Sequence, residues 1–220
     1  MKYGMVPFWS TRKRIHFESP IEGSENLESE RLKKRIILHP SFRRPIRETR
    51  CLVPVDYIIL INELNDPYLF FSTESRPFAL AGLFDNWSGH NPDSILYKGF
   101  SIITLPASQI VTRVGIRRFP LILPVRRYKR WLKPDAHLID ITELLQPFDD
   151  TLLNGYPISR NRFLRKTNSK ELLKPISDFL KIESFQDPSE VANFLKSFRY
   201  KRGLTHPKND QEQRIWREKS

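Results

Sequence analysis

Seventeen prolines against eight glycines punctuate this chain of 220 residues, and that ratio constrains its fold more than any other feature. Proline locks φ and removes a backbone donor, so it ends helices and central strands and confines regular structure to short segments. The apolar runs left between the breaks are 51–61 (CLVPVDYIILI), 68–72 (YLFFS), 77–84 (PFALAGLF), 99–105 (GFSIITL) and 119–125 (FPLILPV). Each is short, rich in β-branched and aromatic residues, and bounded by Pro, Gly, Asn or Asp, so each reads as a strand. Several are apolar on consecutive residues, which implies strands covered on both faces or curled into a closed sheet. Helical spacing occurs over 26–37, 124–133, 141–146 and most strongly over 168–198, where Pro175 and Pro188 break it into pieces. The expected class is α+β with a dominant sheet.

With 39% hydrophobic and 12% aromatic residues the chain can bury a core, and its length suits one domain plus an appendage. No run approaches the roughly 18–20 apolar residues of a membrane span. The leading MKYGMVPFWSTRKR places Pro7 and Trp9 where a signal peptide needs a continuous apolar stretch. A cytoplasmic protein without a membrane partner is expected. Cys51 is the single cysteine and the five histidines lack metal-ligand spacing, so no disulfide framework, metal or cofactor is expected.

Net charge is +12, unevenly spread. Residues 51–97 hold one basic residue, Arg76, against six acidic ones. By contrast, 113–130 holds Arg113, Arg117, Arg118, Arg126, Arg127, Lys129 and Arg130 with no acid, and 160–170 holds Arg160, Arg162, Arg165, Lys166 and Lys170 with none. Phe119, Tyr128, Trp131 and Phe163 interleave with them, a mixture suited to phosphates plus base stacking. The alternative is a solvated basic face that binds nothing in particular.

The series Y-G-M-V-P-F-W (Tyr3 to Trp9), S-E-N-L-E-S-E (Ser24 to Glu30), H-P-S-F-R-R (His39 to Arg44), R-C-L-V-P-V-D (Arg50 to Asp56), P-F-A-L-A-G-L-F-D-N-W (Pro77 to Trp87), S-I-I-T (Ser101 to Thr104), R-R-F-P-L-I-L (Arg117 to Leu123) and Y-P-I-S-R (Tyr156 to Arg160) resembles, in this order, the SRAP family. These are the SOS-response-associated peptidases, also called abasic-site processing proteins. The match runs from residue 3 to about 176. It implies a curled, largely antiparallel sheet with short flanking helices over 1–176; beyond the match, 177–220 reads from its own residues as a helical extension and basic tail. The match also implies single-stranded DNA carrying abasic sites as partner. In the family an N-terminal cysteine closes a thiazolidine on the lesion aldehyde, assisted by a glutamate and a histidine.

At those positions this chain departs from the family. Residue 2 is Lys2, the strand expected before Tyr3 is missing, Leu60 stands at the glutamate position and Ile116 at the histidine position. Neither side chain can move a proton. Glu28 also replaces the arginine of the N-A-R-S-E-T motif. A non-catalytic DNA-binding member, possible as a monomer, is therefore expected. The alternatives are an active enzyme whose start codon is misassigned, a Schiff base from Lys2 or the α-amine, and a protein-interaction scaffold. Cys51 as a substitute nucleophile competes with a plain role in the core.

The expected DNA contacts are Trp9, Asn26, Thr104, Arg117, Arg118 and Arg160, and most have a structural alternative. Trp9 is a stacking platform or a core residue. Asn26 holds a nucleotide or caps a helix. Thr104 bonds phosphate or serves its strand. Arg118 binds phosphate or pairs with a carboxylate of 51–97. Beyond the match, Asp187-Pro188 reads as a helix start, and Val191, Phe194, Leu195 and Phe198 form one apolar stripe that wants a partner.

Overall fold

Burial on both faces is what turns consecutive apolar residues into the central strands of this protein. The computed structural model describes residues 1–22, 35–74, 77–89, 97–160 and 173–180. Its strands are β1 (Lys2–Tyr3), β2 (Glu18–Pro20), β3 (Arg50–Val55), β4 (Ile58–Ile61), β5 (Pro67–Ser72), β6 (Phe78–Trp87), β7 (Tyr97–Pro106), β8 (Arg118–Pro120), β9 (Ile122–Leu123) and β10 (Leu153–Pro157). The helices are α1 (Pro45–Glu48), α2 (Gln109–Thr112), α3 (Tyr128–Leu132) and α4 (Leu138–Glu143).

A seven-stranded sheet runs β1-β7-β6-β3, with β2 and β8 also on β7 and β9 on β6, and a second sheet runs β10-β5-β4. β1 and β2 lie parallel to β7, and every other pairing is antiparallel. The expected α+β class and antiparallel character are thus what the chain adopts. On one face of β6, Phe78 and Leu80 join Ile58, Phe70, Ile116 and Phe119. On the other, Ala81 and Leu83 join Met5, Ile103, Leu121 and Trp131. One strand feeding two cores needs apolar side chains at successive positions, which is the pattern in its sequence.

The sheet curls where β6 and β7 diverge beyond the Gly82–Ile102 pair. There the chain of β8 and β9 crosses from one to the other: Leu121 donates to the Ile103 carbonyl at 2.8 Å and accepts from the Ala81 amide at 2.8 Å. Where β1 pairs with β7, a Cβ on Gly99 would fall 2.0 Å from the Gly4 carbonyl oxygen, so only glycine allows that approach.

Several expectations change in detail. The run 51–61 is two strands in different sheets, not one, because the chain breaks at Asp56-Tyr57 and Pro54 is tolerated only on an outer strand such as β3. The 119–125 run likewise divides at Leu121. The 124–133 pattern becomes a 3₁₀ turn over Val125–Arg127 followed by α3. The 141–146 pattern becomes α4, whose end tightens as Leu144 and Leu145 bond back to Ile141 and Thr142 ahead of Pro147. Within the 168–198 pattern, residues 174–180 are not helical. Pro175 has no amide to donate, and Ile176 and Leu180 donate instead to the Pro157 and Gly155 carbonyls of β10, at 3.0 and 2.8 Å. Phe179 packs edge-on against Tyr156 with centroids 5.0 Å apart, so this segment covers the outer edge of β10. The helical patterns of 26–34 and 181–198 lie outside the described residues.

Candidate nucleic-acid interface

Between β1 and β2 the chain makes an excursion whose base is the antiparallel bridge Met5–His16. At its tip the Ser10 amide bonds the Pro7 carbonyl at 3.0 Å, closing a turn around Phe8 and Trp9. Two side chains from the end of β6 fasten that turn. The Asp85 carboxylate accepts from the Phe8 amide at 2.9 Å, and Trp87 Nε1 donates to the Ser10 carbonyl at 2.6 Å. A third tie comes from outside the strand, where Trp9 Nε1 donates to the Pro40 carbonyl at 3.1 Å. Its indole NH satisfied, Trp9 keeps its ring at the surface, 51% exposed, and Phe8 beside it is 43% exposed. Trp9 is a surface residue and not a core one.

Cations surround this ledge. The Arg44 guanidinium lies 4.3 Å from the centre of the Phe8 ring and also pairs with Glu48 at 2.8 Å. Arg12, Lys13 and Arg14 follow Trp9 in the same loop and are exposed, as is Arg43 just before α1. Lys13 Nζ sits 4.6 Å over the Tyr97 ring. Burial pushes the Asp85 carboxyl above its ordinary range, against the pull of the Phe8 and Asn86 amides and of Arg44. Below the ledge, Phe42 stacks on His39 at 4.6 Å and meets His16 edge-on at 5.4 Å. Burial lowers both imidazoles, and the neighbouring His39 and Arg14 lower His16 further.

The arginines expected to contact DNA, Arg117, Arg118 and Arg160, are engaged within the protein. Arg117, exposed, pairs with Glu63. Arg160 bonds Asp66 at 2.7 Å and the Leu64 carbonyl at 3.0 Å. Arg118 pairs at 2.9 Å with Glu22, which precedes it in the chain, and not with a carboxylate of 51–97. Arg130 bridges Asp140, at 2.8 Å, and Glu143, holding α3 to α4. Thr104 is buried, and its hydroxyl accepts from Arg118 Nε and donates to Glu18, each at 3.3 Å. Asn26 lies outside the described residues. The cations left facing solvent at an aromatic surface come instead from T-R-K-R after Trp9 and from R-R after H-P-S-F. Those dense local runs were visible in the sequence but were outweighed by the longer basic stretches downstream.

Leu60 and Ile116, far apart in sequence, belong to one apolar cluster, Ile116 buried and Leu60 partly so. The positions where the resemblance puts an acid and a base are therefore both filled by hydrocarbon at one apolar cluster. Cys51 sits half-buried on β3, its thiol pushed up to about 11 by burial. Among the described residues no three His, Cys, Asp or Glu side chains are placed to hold a metal ion. No helix there is long and apolar enough to cross a membrane.

The family model described as SOS response associated peptidase (SRAP) matches residues 1–162. The chain belongs to the SRAP family. Its SRAP relatives include the abasic site processing protein YoqW of Bacillus subtilis (strain 168), 28% identical over 179 residues, covering 79% of this chain and 75% of the relative. YoaM of the same organism, also an abasic site processing protein, is 29% identical over 178 residues, covering 79% and 73%. A Bacteroides thetaiotaomicron protein of known crystal structure superposes with a TM-score of 0.68 at 24% identity, covering 80% of this chain and 75% of that one. A Bordetella bronchiseptica protein superposes with a TM-score of 0.55 at 20% identity, covering 71% and 75%. At such identities these structures speak for the SRAP fold alone.

Proposed function

We propose that this SRAP protein binds single-stranded DNA containing abasic sites and holds it by reversible contacts. The observation that carries the reading is the ledge of Trp9 and Phe8, fastened by Asp85, Trp87 and Pro40, with Arg44 over the Phe8 ring and Arg12, Lys13, Arg14 and Arg43 exposed in the adjoining chain. An exposed indole face accepts any base by stacking, and the guanidinium and ammonium groups attract the backbone on either side. A ring whose own NH is tied to Pro40, on a turn held by two further hydrogen bonds, loses little freedom when a base lands on it. SRAP membership and the names of the Bacillus relatives support damaged DNA as the substrate class. Leu60 and Ile116 support the reversible mode, since neither gives nor takes a proton where the family's acid and base would stand.

The test is a fluorescence-anisotropy titration with a labelled single strand, run beside a thermal melt. Trp9→Ala should weaken binding by roughly 1–3 kcal/mol, about 5- to 150-fold, because one stacking contact is lost. Stability should change by less than about 1 kcal/mol, since the ring is half exposed. With four exposed cations engaged, log affinity should fall with log salt at a slope of about −3. A denaturing gel with an abasic strand should show no heat-stable adduct. Normal binding by Trp9→Ala would remove the ledge from the interface, and a stable adduct would refute the reversible mode.

A further inference from the structure

Three arginines that face carboxylates across long stretches of sequence differ in how well water reaches them. In Arg117–Glu63 the side chains are 84% and 57% exposed, and in Arg160–Asp66 they are 60% and 35% exposed. Pairs so wet are weakly held, and a phosphate can displace the carboxylate at little cost. Arg118–Glu22 is different, with side chains only 27% and 13% exposed. Its guanidinium is also fixed in orientation: Nη2 donates to the Thr104 carbonyl at 3.1 Å and Nε to the Thr104 hydroxyl at 3.3 Å. The same hydroxyl donates to Glu18 at 3.3 Å. Pro20 pairs with Thr104 in β2–β7, so Glu18 and Glu22 flank that register position: Glu22 pairs with the cation, and Glu18 accepts from the Thr104 hydroxyl beside it. The local sum is one negative charge.

Carboxylate and phosphodiester are both oxyanions that a guanidinium binds through parallel N–H···O contacts, so they compete for one position. We propose that Glu22 is an internal gate on Arg118: it occupies the place of a backbone phosphate, and single-stranded DNA gains this contact only by displacing it. The proposal builds on the DNA-binding reading above and deepens it by naming a residue that sets the affinity. It makes the half-buried Arg118 a reserve contact, engaged when a strand is held firmly enough at the Trp9 ledge for a phosphate to outcompete Glu22.

The gate predicts a gain of binding, which the loss of a merely structural ion pair does not produce. Glu22→Gln keeps the shape and an acceptor for Arg118 but removes the charge. In the full chain at low salt it should bind a labelled single strand about 5- to 10-fold tighter. Its salt slope should steepen by about 0.7, the increment for one added phosphate contact on a single strand. In the double variant Glu22→Gln/Arg118→Gln the gain should vanish. Glu63→Gln, which frees the exposed Arg117, should change affinity by less than about 2-fold. Glu18→Gln, at an exposed position and keeping an acceptor for the Thr104 hydroxyl, is a second reading of the same field, and it should tighten binding by a smaller factor. Binding by Glu22→Gln and Glu18→Gln equal to or weaker than the wild type overturns the gate while leaving DNA binding intact. A gain that survives in the double variant also overturns it, because the gain then bypasses Arg118. Absence of binding in the wild type and every variant refutes the underlying DNA-binding reading itself.

Discussion

Arg50, the first residue of the R-C-L-V-P-V-D motif, should prove to be a structural tie whose removal loosens the ledge from a distance. The residue is 8% exposed and its guanidinium is bonded to four backbone carbonyls. Nε donates to Trp131 at 2.7 Å, Nη1 to Ile46 at 2.7 Å and to Arg47 at 2.5 Å, and Nη2 to Lys133. Those carbonyls lie at the ends of α1 and α3, where helices leave acceptors without intrahelical partners. One planar cation therefore caps two helices and joins both to β3. Burial lowers its proton affinity, so the cation is held against a desolvation cost, and the net value per bond is best taken as about 1 kcal/mol. Arg50→Met, which replaces the stem but none of the donors, should cost about 3–4 kcal/mol and lower the melting temperature by roughly 6–16 °C for a domain of this size. Arg50→Lys keeps the charge but gathers its donors on one atom that cannot reach both helices, so it should fall between. Because Pro40 and Arg43 lead directly into α1, the same variants should weaken DNA binding in proportion to the loosening of that helix. Thermal and urea melts of the three proteins measure the order. An Arg50→Met protein melting within about 2 °C of the wild type would refute the tie.

Two further expectations concern titration and reactivity. His16 and His39 have lowered folded-state values, so their neutral forms are favoured on folding; the stability they contribute is present above the ordinary imidazole value of 6.5 and lost as pH falls through the depressed values below it. Melting temperature should therefore drop on acidification beneath 6.5, and His16→Gln should flatten that drop; an unchanged pH profile would count against the two imidazoles. The Cys51 thiol, pushed up to about 11, should resist iodoacetamide at mildly alkaline pH in the folded protein and react at once in urea; rapid alkylation of the native chain would show it exposed.

Much of this architecture was written locally. Short β-branched runs ended by proline become strands because dihedral preference and alternation of burial act within a few residues, and the consecutive apolar positions of β6 announced its two cores. The order of motifs from Tyr3 to Arg160 carried the family, since a string of motifs in one order is more specific than any one of its pieces. Leu60 and Ile116 could be read as departures without any coordinates.

What the sequence by itself determined, then, was which segments are extended, which family they compose and which reactive side chains are missing from two positions. Only the tertiary structure decided what each charge and ring faces. Net charge pointed to the basic run 113–130, yet Arg117, Arg118 and Arg130 find carboxylates in the folded chain, and Glu22 lies 96 residues from the arginine it meets. Arg160 meets Asp66 across 94 residues. Trp9 was equally readable as core or surface, and its place was settled by the bonds of its turn, the indole NH donating to the Pro40 carbonyl, the Phe8 amide to Asp85 and Trp87 to the Ser10 carbonyl, pairs 31 to 77 residues apart. The physical reason is that backbone propensity is a property of neighbours in sequence, whereas ion pairing, desolvation and exposure depend on neighbours in space, which exist only once the sheet has curled and brought its edges together.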